Sequence, residues 1–268
     1  MRGKHLALIF EKPSTRTRIS FEIAMKSLGG DAFYLGWNEL QLGRGETVAD
    51  SARVMSRYVD GIMARVYKHS TLEELAKYAD VPVINGLSDL SHPVQILADL
   101  LTIWEKKKRL EGLKLAYVGD GNNVCNSLLV GCSTFGMDVS VACPEGYEPH
   151  EKYVQFATKN AAESGSKIQI LHEPYEAVKN ADIVYTDVFV SMGQDAERQK
   201  RLSLFLPKYQ VNQELFSAAS REAIFMHDLP CHREEEVQSA VIDGDRSAVW
   251  DQAENRLHST RGLLYLLL

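Results

Sequence analysis

Short apolar runs alternate with stretches whose apolar positions recur at helical spacing along almost the whole chain. Residues 6–10 (Leu-Ala-Leu-Ile-Phe) form one continuous apolar run, the pattern of a strand covered on both faces. Similar runs predict strands over 61–66, 81–84, 113–118, 139–142, 183–186 and 223–226. Between them, the periodicity predicts helices over 14–28, 47–58, 93–107, 123–135 and 151–164. Phe21, Ala24, Met25 and Leu28 make the buried stripe of the first helix, and Leu97, Leu100, Leu101 and Trp104 that expected for the helix over 93–107. Strand–helix alternation builds parallel sheets, because each crossover helix must bring the chain back to the same end of the sheet. The expected fold class is therefore α/β, with two domains, each a mostly parallel sheet flanked by helices on both faces. The basic run Lys106-Lys107-Lys108-Arg109 follows a long helix and precedes a fresh strand, and marks the boundary between a first domain, 1–105, and a second from 106 onward.

Composition narrows the function classes. Of the 268 residues 45% are hydrophobic and 25% charged, which is ordinary for a globular chain, and the net charge of −6 argues against broad nucleic-acid binding. No apolar run reaches the length of a membrane span and the start shows no signal-peptide core, so a cytoplasmic protein without a membrane partner is expected. The four cysteines, Cys125, Cys132, Cys143 and Cys231, contain no C-x-x-C pair and are expected to be reduced.

Candidate chemistry gathers where strands give way to helices. Ser14-Thr15-Arg16-Thr17-Arg18 combines capping hydroxyls, a helix N-terminus and guanidinium forks that match phosphate oxygens. It reads as a phosphate site, the plainer alternative being a capped helix with solvated arginines. His92-Pro93-Val94-Gln95 opens a second helix, and His92 and Gln95, three apart, face one point where they can polarise a carbonyl oxygen. Gly119-Asp120-Gly121-Asn122-Asn123 lacks the third glycine of a dinucleotide fingerprint and the Gly-Lys-Ser/Thr of a P-loop. It reads instead as a tight strand-to-helix turn with Asn side chains turned toward a small ligand. Asp187 ends the strand over 183–186, where a carboxylate can hold a ligand ammonium, and His227-Asp228-Leu229-Pro230 ends the last strand. The run Arg233-Glu234-Glu235-Glu236 is expected to be a solvated helix start, where acidic residues suit the dipole.

Taken together, these segments resemble the aspartate/ornithine carbamoyltransferase family, in order from Gly3 to the C-terminus. The resemblance implies that Ser14, Thr15, Arg16 and Thr17 hold the phosphate of carbamoyl phosphate. Arg65, in Met63-Ala64-Arg65-Val66-Tyr67, would reach phosphate and carbonyl oxygens, His92 and Gln95 the carbamoyl group, and Arg256 would close on the same ligand. Arg65, His92 and Gln95 are thereby the implied catalytic residues. Gln41, in Leu40-Gln41-Leu42-Gly43, matches a loop residue supplied by a neighbouring subunit, which implies a homotrimer with shared active sites. Asn123, Asp187, Ser191 and Met192 resemble an ornithine site, and the Ser-Met-Gly loop is typical of ornithine-type rather than aspartate-type members. The resemblance returns the C-terminal helix, 253–268, to the first, carbamoyl-phosphate-binding domain, and leaves 106–252 as the ornithine-binding domain. The implied reaction is transfer of the carbamoyl group to the δ-amine of L-ornithine, giving L-citrulline and phosphate, with no metal and no organic cofactor.

The chain departs from the family pattern at two places. The usual His-Cys-Leu-Pro reads His227-Asp228-Leu229-Pro230, so a carboxylate stands beside the reacting amine. Asp228 and Leu229 are candidate site residues whose roles stay open. So do two alternatives: a carbamoyltransferase for another amine (putrescine or an acylated ornithine), and a catalytically silent ligand-binding relative. Members also normally carry a further, largely helical segment ahead of the opening strand.

Overall fold

The computed structural model describes residues 1–191 and 193–268, leaving out the side chain of Asp195. The chain forms two compact units, Met1–Ala98 with Glu254–Leu268, and Asp99–Ala253.

In the first unit β1 (His5–Phe10), α1 (Thr15–Ser27), β2 (Asp31–Gly36), α2 (Val48–Met55), β3 (Gly61–Arg65), α3 (His69–Tyr78) and β4 (Val83–Leu87) lead into α4 (Pro93–Lys107). The sheet is parallel, in the order β2-β1-β3-β4. Leu6, Leu8 and Phe10 of β1 enter one layer with Phe21 and Met25 of α1, Val94 of α4 and Leu264. Ala7 and Ile9 enter the other, with Ala52 of α2 and Leu72 and Leu75 of α3. Both faces are covered, which is why β1 reads as an unbroken apolar run; each of its large side chains contributes about 1.5–3 kcal/mol by leaving water. From β1 the chain moves to β2 on one side, whereas β3 lies on the other. Such a reversal opens a crevice at the carboxyl ends of the two strands, where open α/β sheets take ligands.

The second unit repeats the plan with β5 (Lys114–Val118), α5 (Asn123–Thr134), β6 (Asp138–Ala142), α6 (Glu151–Ser164), β7 (Ile168–Leu171), α7 (Pro174–Val178) and β8 (Ile183–Tyr185). It continues through α8 (Arg198–Phe205), α9 (Gln213–Ser217), β9 (Ile224–Met226), α10 (Ser239–Ile242) and α11 (Val249–Leu267). This sheet is also parallel, ordered β7-β6-β5-β8-β9, and its reversal lies between β5 and β8. Val118, Val184 and Phe225 pack with Val178, Phe205, Phe216 and Val241 from α7 to α10. The divisions between the units fall inside α4 and inside α11, so the basic run 106–109 belongs to the second unit. The four cysteines are unbridged.

Three expectations change. Strands β2 and β7 were not expected; neither contains a fully buried residue, so neither carries the apolar run of a central strand. On α4, Leu97 and Trp104 are 41% and 52% exposed, and the buried positions are Val94, Gln95, Ile96, Ala98, Asp99, Leu100, Thr102 and Ile103. Polar residues occupy that face because they are bonded: the Asp99 carboxylate accepts from Gln252 Nε2 at 2.7 Å and from Tyr185 Oη at 3.2 Å. Finally, residues 233–236 form no helix; the segment is a turn, and of its three glutamates Glu236 is wholly buried.

Candidate active site

The first unit collects polar groups at the ends of β1, β3 and β4. Ser14 is extended (φ −160°, ψ 121°) and its hydroxyl accepts the Thr17 N–H at 3.2 Å, capping α1 just beyond β1. Arg65 closes β3 at a register shift between Ala64 and Arg65, the kind of irregularity that re-aims a side chain. His92 stands between β4 and α4. Thr17, Arg65, His92, Gln95 and Arg256 are all buried. Arg256 connects them, Nη1 donating to Gln95 Oε1 at 2.6 Å and Nη2 to Thr17 Oγ1 at 3.2 Å. A guanidinium only donates, so this bond fixes the amide of Gln95 with its oxygen toward Arg256 and its NH₂ as the opposite, donor end.

The His92 imidazole titrates well below the ordinary histidine range, first because it is buried and then because Arg256, Arg65 and Arg16 surround it with positive charge. It is therefore a neutral ring among cations. Such a group donates a hydrogen bond to a carbonyl oxygen without carrying charge itself, while the arginines stabilise negative charge that develops there. Unfolded, this histidine takes up a proton near pH 6.5; folded, it does so only at lower pH. It thus subtracts stability as pH falls through that range, by up to about 1.4 kcal/mol per pH unit. Urea melts between about pH 7.5 and about pH 5.5 are expected to show the wild type losing stability faster than His92→Gln. Ser14 and Arg16 are half-buried and Thr15 exposed at the mouth of this cluster. Gln41 is not brought into it; it is exposed on the 3-10 turn Gln41–Arg44.

In the second unit the β5–α5 turn approaches the backbone of residues 147–149 so closely that a Cβ on Gly121 would lie 2.2 Å from Pro149 N and 2.4 Å from Glu148 C. Gly121→Ala is expected to cost about 2–3 kcal/mol in a urea melt, because backbone has to move. Asn122 caps α5 by accepting the Val124 and Cys125 N–H groups at 2.9 and 3.1 Å. Its Nδ2 donates to Asp187 Oδ2 at 2.6 Å, while Asp187 Oδ1 accepts the Val188 N–H at 2.7 Å. Asp187 is thus held by both oxygens, each with lone-pair capacity left for an ammonium donor. Arg201 pairs with Asp120 and donates from Nε to the Phe189 carbonyl at 2.6 Å, fastening the start of the segment that follows Asp187. Burial pushes the Asp120 carboxyl up to about 6 against the pull of Arg201, with Asp187 adding to the rise.

His227 Nδ1 accepts the Leu229 N–H at 2.9 Å, so its proton sits on Nε2, which donates to Glu236 Oε1 at 3.2 Å. One ligand atom each of Asp187, His227 and Asp228 lie within 4.8 Å of one another. Both ring nitrogens of His227 are engaged, so the cluster presents two carboxylates and no imidazole lone pair. A hydrogen-bonding cation such as an ammonium matches that set better than a transition-metal ion does. Leu229 adopts a left-handed conformation, φ +58°. Ser191 closes a turn with Gln194, its N–H donating to Gln194 Oε1 at 3.0 Å. Met192 lies outside the described residues. Asn123 is the first residue of α5 and half-buried; the side chain bonded to Asp187 is that of Asn122. Sequence reasoning includes Asn122 only as one of the Asn side chains of the turn, and it misses Arg201 and Glu236, neither of which carries a local signal.

The comparisons with known proteins cover the whole chain. The model for the carbamoyl-P binding domain of aspartate/ornithine carbamoyltransferases matches residues 1–105, and that for the Asp/Orn binding domain residues 111–267. The ornithine carbamoyltransferase of Pyrococcus horikoshii is 60% identical over 268 residues, covering 100% of this chain and 84% of the relative. That of Bacillus subtilis is 57% identical over 266 residues, 99% of this chain and 83% of the relative. The solved structure of the Pyrococcus furiosus ornithine carbamoyltransferase superposes with a TM-score of 0.96 at 60% identity, covering 99% of this chain and 85% of that one.

Proposed function

The chain belongs to the aspartate/ornithine carbamoyltransferase family, and from that premise we propose that it carbamoylates the δ-amine of L-ornithine with carbamoyl phosphate, giving L-citrulline and phosphate. Relatives bearing the name ornithine carbamoyltransferase, about three-fifths identical over the full chain, support the substrate pair. The structural observation that carries the reading is the neutral, buried His92 set among Arg16, Arg65 and Arg256. Three neighbouring cations, two of them buried, favour an anion between them, and a carbamoyl phosphate dianion would both supply that charge and place a carbonyl beside His92.

In this reading residues 1–105 with 253–268 bind the donor, and 106–252 bind the acceptor. Ser14, Thr15, Arg16 and Thr17 hold the phosphate with Arg256; Arg65, His92 and Gln95 act on the carbonyl oxygen. Asp187, with Asn123, Ser191 and Met192, holds ornithine. The neutral δ-nitrogen forms a bond to the carbamoyl carbon, the bond between that carbon and the bridging oxygen breaks with its electron pair staying on the oxygen of the departing phosphate, and the surplus proton of the amine passes to that phosphate. These atoms balance without a cofactor or metal. Gln41, exposed in one chain, is read as a contribution to the site of a neighbouring copy in a homotrimer. Cytoplasmic location and the absence of nucleic-acid partners belong to the same proposal; among the described residues no helix is long and apolar enough to cross a membrane.

An amine panel tests the acceptor. With carbamoyl phosphate saturating, kcat/KM for L-ornithine is expected to exceed that for putrescine or an acylated ornithine by at least about 10²-fold, since each of those lacks one charged group that the site would bind. Preference for either of the others would overturn the ornithine assignment.

A further inference from the structure

The turns that follow β1, β3 and β4 are laced to one another by hydrogen bonds. Glu11 Oε2 accepts the Tyr67 N–H at 2.7 Å, the Val66 N–H donates to the Leu87 carbonyl at 2.9 Å, and the Asp89 N–H donates to the Tyr67 carbonyl at 3.0 Å. His69, the first residue of α3, adds two bonds to the turn ahead of α4: its N–H donates to Asp89 Oδ1 and its Nδ1 meets Ser88 Oγ, both at 2.8 Å. Ser88 is fully buried, so its hydroxyl proton has to find an acceptor. The same oxygen already accepts the Leu90 and Ser91 N–H groups at 3.3 and 3.2 Å, which leaves the proton for the imidazole. The His69 ring is therefore bare at Nδ1 and protonated at Nε2. Ser91 accepts in turn from Asn85 Nδ2 at 2.9 Å, and the next residue is His92.

We propose that His69 is a positioning residue for carbamoyl transfer: by taking the Ser88 proton and giving its own N–H to Asp89, it fixes the turn that leads into His92 against the turn that follows Arg65. It thereby sets the spacing of the two groups assigned to the carbonyl oxygen, and the proposal rests on that assignment. His69 acts through the turn and takes no part in the bond changes. A side chain without an acceptor at this place leaves the buried Ser88 proton unpaired, and the turn has to shift to satisfy it. A shift of even a fraction of an ångström at the reacting groups is felt in the rate.

His69→Asn puts an amide oxygen near the place of Nδ1, whereas His69→Leu keeps much of the bulk and offers no acceptor. With both substrates saturating, His69→Leu is expected to lower kcat by about tenfold, with KM for ornithine within about twofold of the wild type. His69→Asn is expected to recover kcat to within about threefold. In a Ser88→Ala background, where the bond is already gone, His69→Leu is expected to cost no more than about a further twofold. Nitrogen-15 NMR of the histidine-labelled protein, with the His69 signals assigned by their absence in His69→Asn, is expected to show the Nε2–H tautomer. Unchanged kcat in a folded His69→Leu, an Asn variant as impaired as the Leu variant, full additivity with Ser88→Ala, or an Nδ1–H ring would overturn the proposal. If His69→Leu does not fold, the tautomer decides. A wild type that forms no citrulline would instead overturn the reading of the reaction itself.

Discussion

Arg65→Ala is expected to lower kcat/KM for carbamoyl phosphate by about 10³-fold without a matching loss of stability. That factor corresponds to about 4 kcal/mol, the scale on which losing a preorganised donor to a developing oxyanion is felt. Arg65 is buried and acts on His92 together with Arg16 and Arg256, all three positive. Removing one cation from this group weakens the repulsion among the others in the empty protein, which offsets the packing lost with the arginine stem. The ligand reverses the balance. Carbamoyl phosphate at about 100 times its Kd is expected to stabilise the wild type by about 2.7 kcal/mol and to raise the Tm of Arg65→Ala far less at the same concentration. Steady-state kinetics and thermal melts with and without the ligand check both halves. A variant much less stable when empty, yet still protected by carbamoyl phosphate, would remove Arg65 from the site.

The second large effect is expected at Asp187. Asp187→Asn should reduce kcat/KM for ornithine by about 10²–10³-fold, because an ammonium partner loses its counter-charge in a buried place. Carbamoyl phosphate binding to the free enzyme should stay within about twofold, since the groups assigned to the donor are elsewhere in the chain. Stability should fall by about 1–3 kcal/mol. In the wild type two donors, Asn122 Nδ2 and the Val188 N–H, each reach a separate carboxylate oxygen, and an amide has only one oxygen to offer. Kinetics with each substrate varied in turn, with a urea melt of the same variant, separate the three expectations. A drop in carbamoyl phosphate binding equal to the drop for ornithine would place Asp187 in a purely structural role.

Much of the architecture is written in hydrophobicity, because strands such as β1 and β5 are covered on both faces and read as apolar runs. The same logic explains what was illegible. Strands β2 and β7 carry only half-buried and exposed residues, so their pattern resembles a loop. The buried face of α4 departs from its apolar spacing because it includes Gln95, Asp99 and Thr102, and burial there follows hydrogen bonding rather than hydropathy. Glu236 is the sharpest case. Within three consecutive glutamates nothing in composition separates the one that turns inward; the partner that makes its burial tolerable, His227, lies nine residues earlier. Of the candidate site, Thr17, His92 and Gln95 stand close to helix starts that capping and proline already marked. Arg65 and Arg256 required the resemblance, since an arginine at a strand end or within a helix has no local signature, and their burial appears only in three dimensions.

Citrulline formation from carbamoyl phosphate and L-ornithine, measured with phosphate release in the same reaction and with Arg16→Ala alongside, is the most direct test of carbamoyl transfer to ornithine. Citrulline and phosphate in equal amounts, with both lost in Arg16→Ala, is the predicted result. A folded protein that binds carbamoyl phosphate and forms no citrulline would contradict it.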